Sequence, residues 1–174
     1  MNIYTELARQ SLEYFLTQGT YMEIPDNLPE ELLNEKRGTF VSWHDKNDDL
    51  RGCIGTFLPT KKSIADEIIS NSVASGTEDP RFHSITLDDL KKLHCNVDIL
   101  SELEHIQNIE CDLNPKKYGV YIKTPDGRSG LLLPDLDGVD TVYQQISIAC
   151  QKGGIDPQDD SLSLYRFTVD RFEE

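Results

Sequence analysis

Positive charge is scarce in this 174-residue chain: seventeen Lys and Arg stand against thirty-one Asp and Glu, a formal net charge of −14. A field of that sign repels phosphate backbones and anionic bilayers at long range, so nucleic-acid binding and membrane adsorption are not expected. A local basic patch survives the argument. Long apolar runs are missing too, and none approaches the roughly 20 residues of a membrane helix. Residues 1–10 carry neither a basic n-region nor an apolar h-region, so no signal peptide is expected and a cytoplasmic location is the default. Cysteine pairing is the third absence. Cys53, Cys95, Cys111 and Cys150 are scattered, with no Cys-x-x-Cys and no Cys/His pair at zinc-finger spacing. The expectation is free thiols, most of them buried packing residues, with no metal and no cofactor.

What remains is globular in character. Hydrophobic residues make up 37 % of the chain, enough to build a core despite the charge. The length fits a single domain over residues 1–174, with room for two lobes whose boundary is not legible. Ile3, Leu7, Ala8, Leu12, Phe15 and Leu16 recur at helical spacing up to Gly19. Pro29 opens a short helix ending near Lys36. The period then changes: 38–43 and 50–58 read as strands of a hairpin turning at Asn47-Asp48-Asp49. Ser63 with Asp66 opens a helix striped by Ile64, Ile68, Ile69 and Val73 and ended by Gly76. Residues 77–84 read as an ordered loop, and Thr86 with Asp89 caps a brief helix.

Strands follow at 96–103, 118–123 and 130–133, the last two flanking Pro125-Asp126-Gly127. A helix capped by Asp140 runs to Gly153-Gly154, and 164–169 reads as a closing strand. Hairpins with inserted helices make an α+β fold with mainly antiparallel sheet and flanking helices.

The densest unusual segment is Leu50-Arg51-Gly52-Cys53-Ile54-Gly55-Thr56. Two glycines inside a strand need a local reason, either a bulge or a close backbone approach. Alternation puts Leu50, Gly52, Ile54 and Thr56 on one face and Arg51, Cys53 and Gly55 on the other. A neighbouring guanidinium lowers a thiol's pKa and a bare glycine opens access to it, which is what a reactive cysteine requires. The bland alternative is a Cys53 that fills a core gap beside a solvated Arg51. In the following loop, Asp79 and Arg81 either cap a turn and pair or hold a ligand; Arg51 and Arg81 together suit a carboxylate or phosphate. Phe82 reads as an anchor beneath the loop. His83 would complete a Cys–His pair if it reached Cys53. His44 reads as a solvated strand-end residue, and His94 and His105 form no metal pair. Asp135, Asp137 and Asp140 lack the offsets of a calcium loop.

Residues 50–56 resemble the signature of the AMMECR family, named for a human contiguous-gene syndrome. The likeness extends through Asp79-Pro-Arg-Phe82, Leu131-Leu-Leu-Pro134 and the helix with Gln144-Gln145, covering nearly the whole chain in order. It implies two intertwined α+β subdomains with a cleft, the signature lying in or near it. It also implies membership of a prokaryotic three-part set, with Memo-like and radical-SAM proteins as partners. It supplies no reaction. One departure is visible: the family continues Arg-Phe with prolines, whereas Phe82 is followed here by His83-Ser84.

Two functions follow. In one, the chain is a thiol-dependent enzyme acting on a small or modified anionic substrate, with Cys53 as nucleophile or redox thiol, His83 as a candidate base, and Arg51, Gly52, Gly55, Thr56, Asp79 and Arg81 binding the substrate. In the other, the same residues form a non-catalytic binding or adaptor surface for a peptide or partner protein.

Overall fold

The computed structural model describes residues 2–158 and 161–174. The chain divides into two compact units, Met1–Leu100 with Asp170–Glu174, and Ser101–Val169.

The first unit opens with α1 (Ile3–Gln18), which Asn2 caps by accepting from the backbone N–H groups of Tyr4 and Thr5. Gly19 closes it at φ +72°, a left-handed conformation that glycine adopts without strain. After α2 (Glu30–Asn34), β1 (Thr39–His44) and β2 (Leu50–Thr56) form the expected hairpin. Next come α3 (Ile64–Thr77), α4 (Leu87–Leu90) and β3 (His94–Leu100). Thr86 and Asp89 cap α4 reciprocally. The sheet order is β2-β1-β3-β8, with β8 spanning Val169–Glu173. Every second residue of β1 (Thr39, Val41 and Trp43) is buried. Val41 and Trp43 join Leu7, Leu12, Ile64 and Ile68 in one apolar core.

Gly76 does not end α3, which continues to Thr77. A Cβ there would lie 2.7 Å from Leu12 Cδ2, so glycine is where α1 crosses α3 closely. The closing strand is also two strands. β7 (Ser163–Phe167) and β8 flank Thr168 and belong to different sheets. A single run of β-prone residues does not reveal that change of partner.

The second unit carries β4 (Glu104–His105), α5 (Ile109–Asp112), β5 (Gly119–Lys123), β6 (Ser129–Leu132), α6 (Val142–Gly153) and β7, with sheet order β4-β7-β5-β6. Thr141, not Asp140, caps α6 in a reciprocal pair with Gln144. Val120, Ile122, Leu132, Ile146, Ala149 and Cys150 form its core. Cys150 and Cys95 are buried as expected, whereas Cys111 is exposed. The observed antiparallel sheets with packed helices make the α+β class plain. Among the described residues, no helix is long and apolar enough to cross a membrane.

Candidate functional site

The signature segment is β2, an edge strand. Its register against β1 runs Thr56 to Gly52 opposite Thr39 to Trp43, then slips so that His44 faces Leu50. Arg51 is the extra residue of a bulge. The slip separates Leu50 from the face of Gly52, Ile54 and Thr56, which the simple alternation had grouped together. Cys53 keeps its place on the face opposite the core, paired with Ser42.

The glycines have packing reasons. A Cβ on Gly52 would stand 2.0 Å from the Ser75 carbonyl oxygen, so α3 lies directly on β2 there. A Cβ on Gly55 would stand 2.3 Å from the ring of Phe40, its cross-strand partner. The close approaches are made by the protein itself. Thr56 likewise points to the fold: its hydroxyl donates to Glu67 Oε2 at 2.6 Å.

Glu67 is fully buried and faces no cation among its hydrogen-bond partners. The hydroxyls of Thr56 and Thr60, the backbone N–H groups of Thr60 and Lys61, and the Asn71 amide all donate to it. Burial alone would raise its carboxyl pKa, but these donors overcome it and hold it below the ordinary value. Glu67→Gln turns one acceptor into a donor against N–H groups, and we expect thermal unfolding to show a loss of about 2 kcal/mol. An unchanged melting temperature would contradict the account.

The Asp79–Arg81 loop closes the sheet edge. Asp79 Oδ2 accepts the Cys53 backbone N–H at 2.9 Å, and Arg81 Nη2 donates to the Cys53 carbonyl at 3.2 Å. The two side chains also pair, at 2.7 Å from Nη2 to Oδ2 and 3.0 Å from Nε to Oδ1. Carboxylate and guanidinium thus do for Cys53 what a neighbouring strand's peptide would do, and that stretch of edge is closed to another chain. The Arg81 guanidinium, against the opposing effect of burial, holds the Asp79 carboxyl well below the usual carboxylate range.

The Cys53 thiol does not have the predicted electrostatics. Burial pushes its pKa up; the leading opposing charge is Arg81, with Arg171 also lowering it and Asp98 and Asp79 raising it. The expected cation, Arg51, lies elsewhere. It lines a pocket of about 430 Å³ with Pro80, Arg81, Phe82 and His83. Arg81 also sits over the Phe82 ring, 5.3 Å from its centroid. Arg51 also lines a pocket of about 480 Å³ with Asp45, Lys46, Asp89, Lys92 and Leu93. His83 is exposed, and among the described residues it makes no hydrogen bond to Cys53. The loop therefore brings Arg51, Arg81 and His83 together and clamps the Cys53 backbone, without forming a Cys–His pair.

Sequence reasoning missed the second pocket. Asp45 and Lys46 come from the hairpin turn, and Asp89 and Lys92 from around α4, so only the folded chain assembles them. His44 ends β1 as the sequence suggests and stays partly exposed, with its Nε2 2.8 Å from Ser42 Oγ. Among the described residues no cluster of His, Cys, Asp and Glu could hold a metal ion.

Comparison with known proteins agrees with this architecture. The chain is 45 % identical over 170 residues to a Thermotoga maritima protein, covering 98 % of this chain and 97 % of that one. It is 46 % identical over 172 residues to a Clostridium acetobutylicum protein, covering 98 % of this chain but only 36 % of that longer one. The crystal structure of an uncharacterized Pyrococcus horikoshii protein superposes with a TM-score of 0.86 at 31 % identity, over 98 % of this chain and 89 % of that one. The AMMECR1 family profile matches residues 5–172, and the chain belongs to that family.

Proposed function

We propose that the chain is a recognition module for a small ligand carrying a carboxylate or phosphate, with Arg51 as its principal contact and Arg81 and His83 beside it. One observation carries this reading. Of the seven arginines, six pair with carboxylates: Arg9, Arg37, Arg81, Arg128, Arg166 and Arg171. Arg51 is the one arginine without an ion pair or side-chain hydrogen bond among the described residues, although Asp45 and Asp89 line the same pocket. In a chain of net charge −14, Arg51, a half-buried residue with no direct carboxylate bond and only a longer-range attraction to Asp89, is a standing anion receptor. The remote negative field weakens capture of the ligand; the local fork supplies the affinity.

Calorimetric titration with inorganic phosphate and with citrate tests this. A charge-assisted hydrogen bond contributes about 1.5–3 kcal/mol, so Arg51→Gln is expected to weaken binding by roughly 10- to 100-fold with the fold intact. Equal affinity in wild type and Arg51→Gln would overturn the proposal. The thiol-enzyme reading retains one supporting observation, a free and half-buried Cys53 beside Arg81. Memo-like and radical-SAM partners belong to the adaptor form of the proposal, and co-purification with Arg51→Gln tests whether they use this site.

A further inference from the structure

We infer that Ser42 and His44 form a proton relay for Cys53, so that this face of the sheet is built for attack by the thiol on an electrophilic carbon. The proposal rests on register and hydrogen-bond direction. Ser42 is the cross-strand partner of Cys53, and directly opposed residues share a face with Cβ atoms about 4.5–5.5 Å apart. His44, two residues along β1, shares that face, and its Nε2 lies 2.8 Å from Ser42 Oγ. Its Nδ1 faces the Asp48 backbone carbonyl at 3.4 Å. A carbonyl only accepts, so Nδ1 carries the hydrogen and Nε2 presents its lone pair. The Ser42 hydroxyl is then the donor to His44, and its own lone pairs are left to accept from a thiol.

The imidazole is held from its other side. The His94 ring stacks on it with centroids 5.5 Å apart, and His94 Nε2 lies 3.0 Å from Asp48 Oδ1. Asp48 thus engages both rings, one through its carbonyl and one through its carboxylate. Around the thiol, Asp79 and Arg81 come from the loop, Asp98 from β3 and Arg171 from β8. Asp98 and Arg171 neutralise each other at 2.8 Å, as do Asp79 and Arg81 at 2.7 Å. Paired charges leave the half-buried thiol protonated at rest, and a base is what it needs. In the reacting step the Cys53 Sγ proton passes to Ser42 Oγ while the Ser42 proton passes to His44 Nε2. Sγ bonds to the electrophilic carbon, the leaving group departs with the bonding electron pair, and the imidazolium returns its proton to water.

Alkylation by iodoacetamide, followed residue by residue by mass spectrometry, tests the relay without involving the anion pocket, because the probe is neutral. Resolving by residue also excludes the exposed Cys111. The wild-type Cys53 rate is expected to rise in two steps, a lower one carried by the His44–Ser42 relay and an upper one at ionisation of the thiol itself, which burial raises. Ser42→Ala and His44→Gln are each expected to remove the lower step, slowing the rate at pH 7 by about ten-fold or more, while leaving the high-pH rate unchanged. Ser42→Thr keeps the hydroxyl and is expected to retain both steps. A lower step that survives in His44→Gln or in Ser42→Ala overturns the inference. So does a wild-type profile with the thiol step alone.

Discussion

Replacing Gly52 with alanine will destabilise the first unit by about 3 kcal/mol, the upper end of what overpacking a well-filled interior costs. The methyl would stand 2.0 Å from the Ser75 carbonyl oxygen and 3.0 Å from its carbon. The obstacle is helix backbone, so no side chain can rotate away; α3 must lift from β2. Ser75 itself is buried, and α3 packs on both β1 and β2, so the lift loosens the core around Trp43 and Ile68. Chemical denaturation reads the loss directly. A Gly52→Ala protein as stable as wild type would show that α3 does not press on the signature strand. Gly55→Ala meets the side chain of Phe40, which has some freedom to turn, so its cost is expected to be smaller.

Asp79→Ala is the second large effect. The Asp79 side chain is 3 % exposed and accepts four hydrogen bonds, from the Cys53 and Arg81 backbones and from the Arg81 guanidinium. Removing it leaves the Cys53 N–H without its partner and frees Arg81. Breaking a fully buried pair costs about 3–5 kcal/mol; here the Arg81 side chain is 57 % exposed, and water screens its half, so about 2 kcal/mol is expected. The same bonds give an acid signature. Asp79 is held below its unfolded value of about 3.9, so its contribution is fully present above that pH. It is lost as pH falls further, through the depressed folded value. Denaturation midpoints measured between pH 5 and pH 2 are expected to fall less steeply in Asp79→Ala than in wild type. Parallel slopes would mean that Asp79 is not held ionised by the fold.

Much of this architecture is legible in the sequence because it is local. The stripe in α1, its Gly19 cap, the Thr86–Asp89 box and the β1–β2 hairpin are all set by spacings within a few residues. What is not legible depends on register or on distant chain. The bulge at Arg51 moves its side chain away from the Cys53 face, and alternation cannot foresee a slipped pair. The Ser75 carbonyl that explains Gly52 arrives from a helix more than twenty residues on. Asp79 reaches Cys53 across 26 positions, which turns a suspected ligand-binding carboxylate into a clamp on the strand edge. His83 is the imidazole that the sequence offers as a partner for Cys53. The imidazole that shares a face with Cys53 is instead His44, visible only once Ser42 is known to stand opposite the thiol. The resemblance to the family added two subdomains to an α+β class already read from the hairpins, and it left the roles of these residues to be read from their contacts.

The central claim is that Arg51 is the anion receptor. It is tested most directly by following the arginine Nε–H signals of the isotopically labelled protein in two-dimensional NMR during titration with inorganic phosphate. The account predicts that the Arg51 signal, assigned through its loss in Arg51→Gln, moves furthest of the seven and saturates, with Arg81 moving less and Arg128 and Arg166 staying in place. A saturating response elsewhere with Arg51 unmoved would contradict it, as would a phosphate titration that shifts no arginine at all.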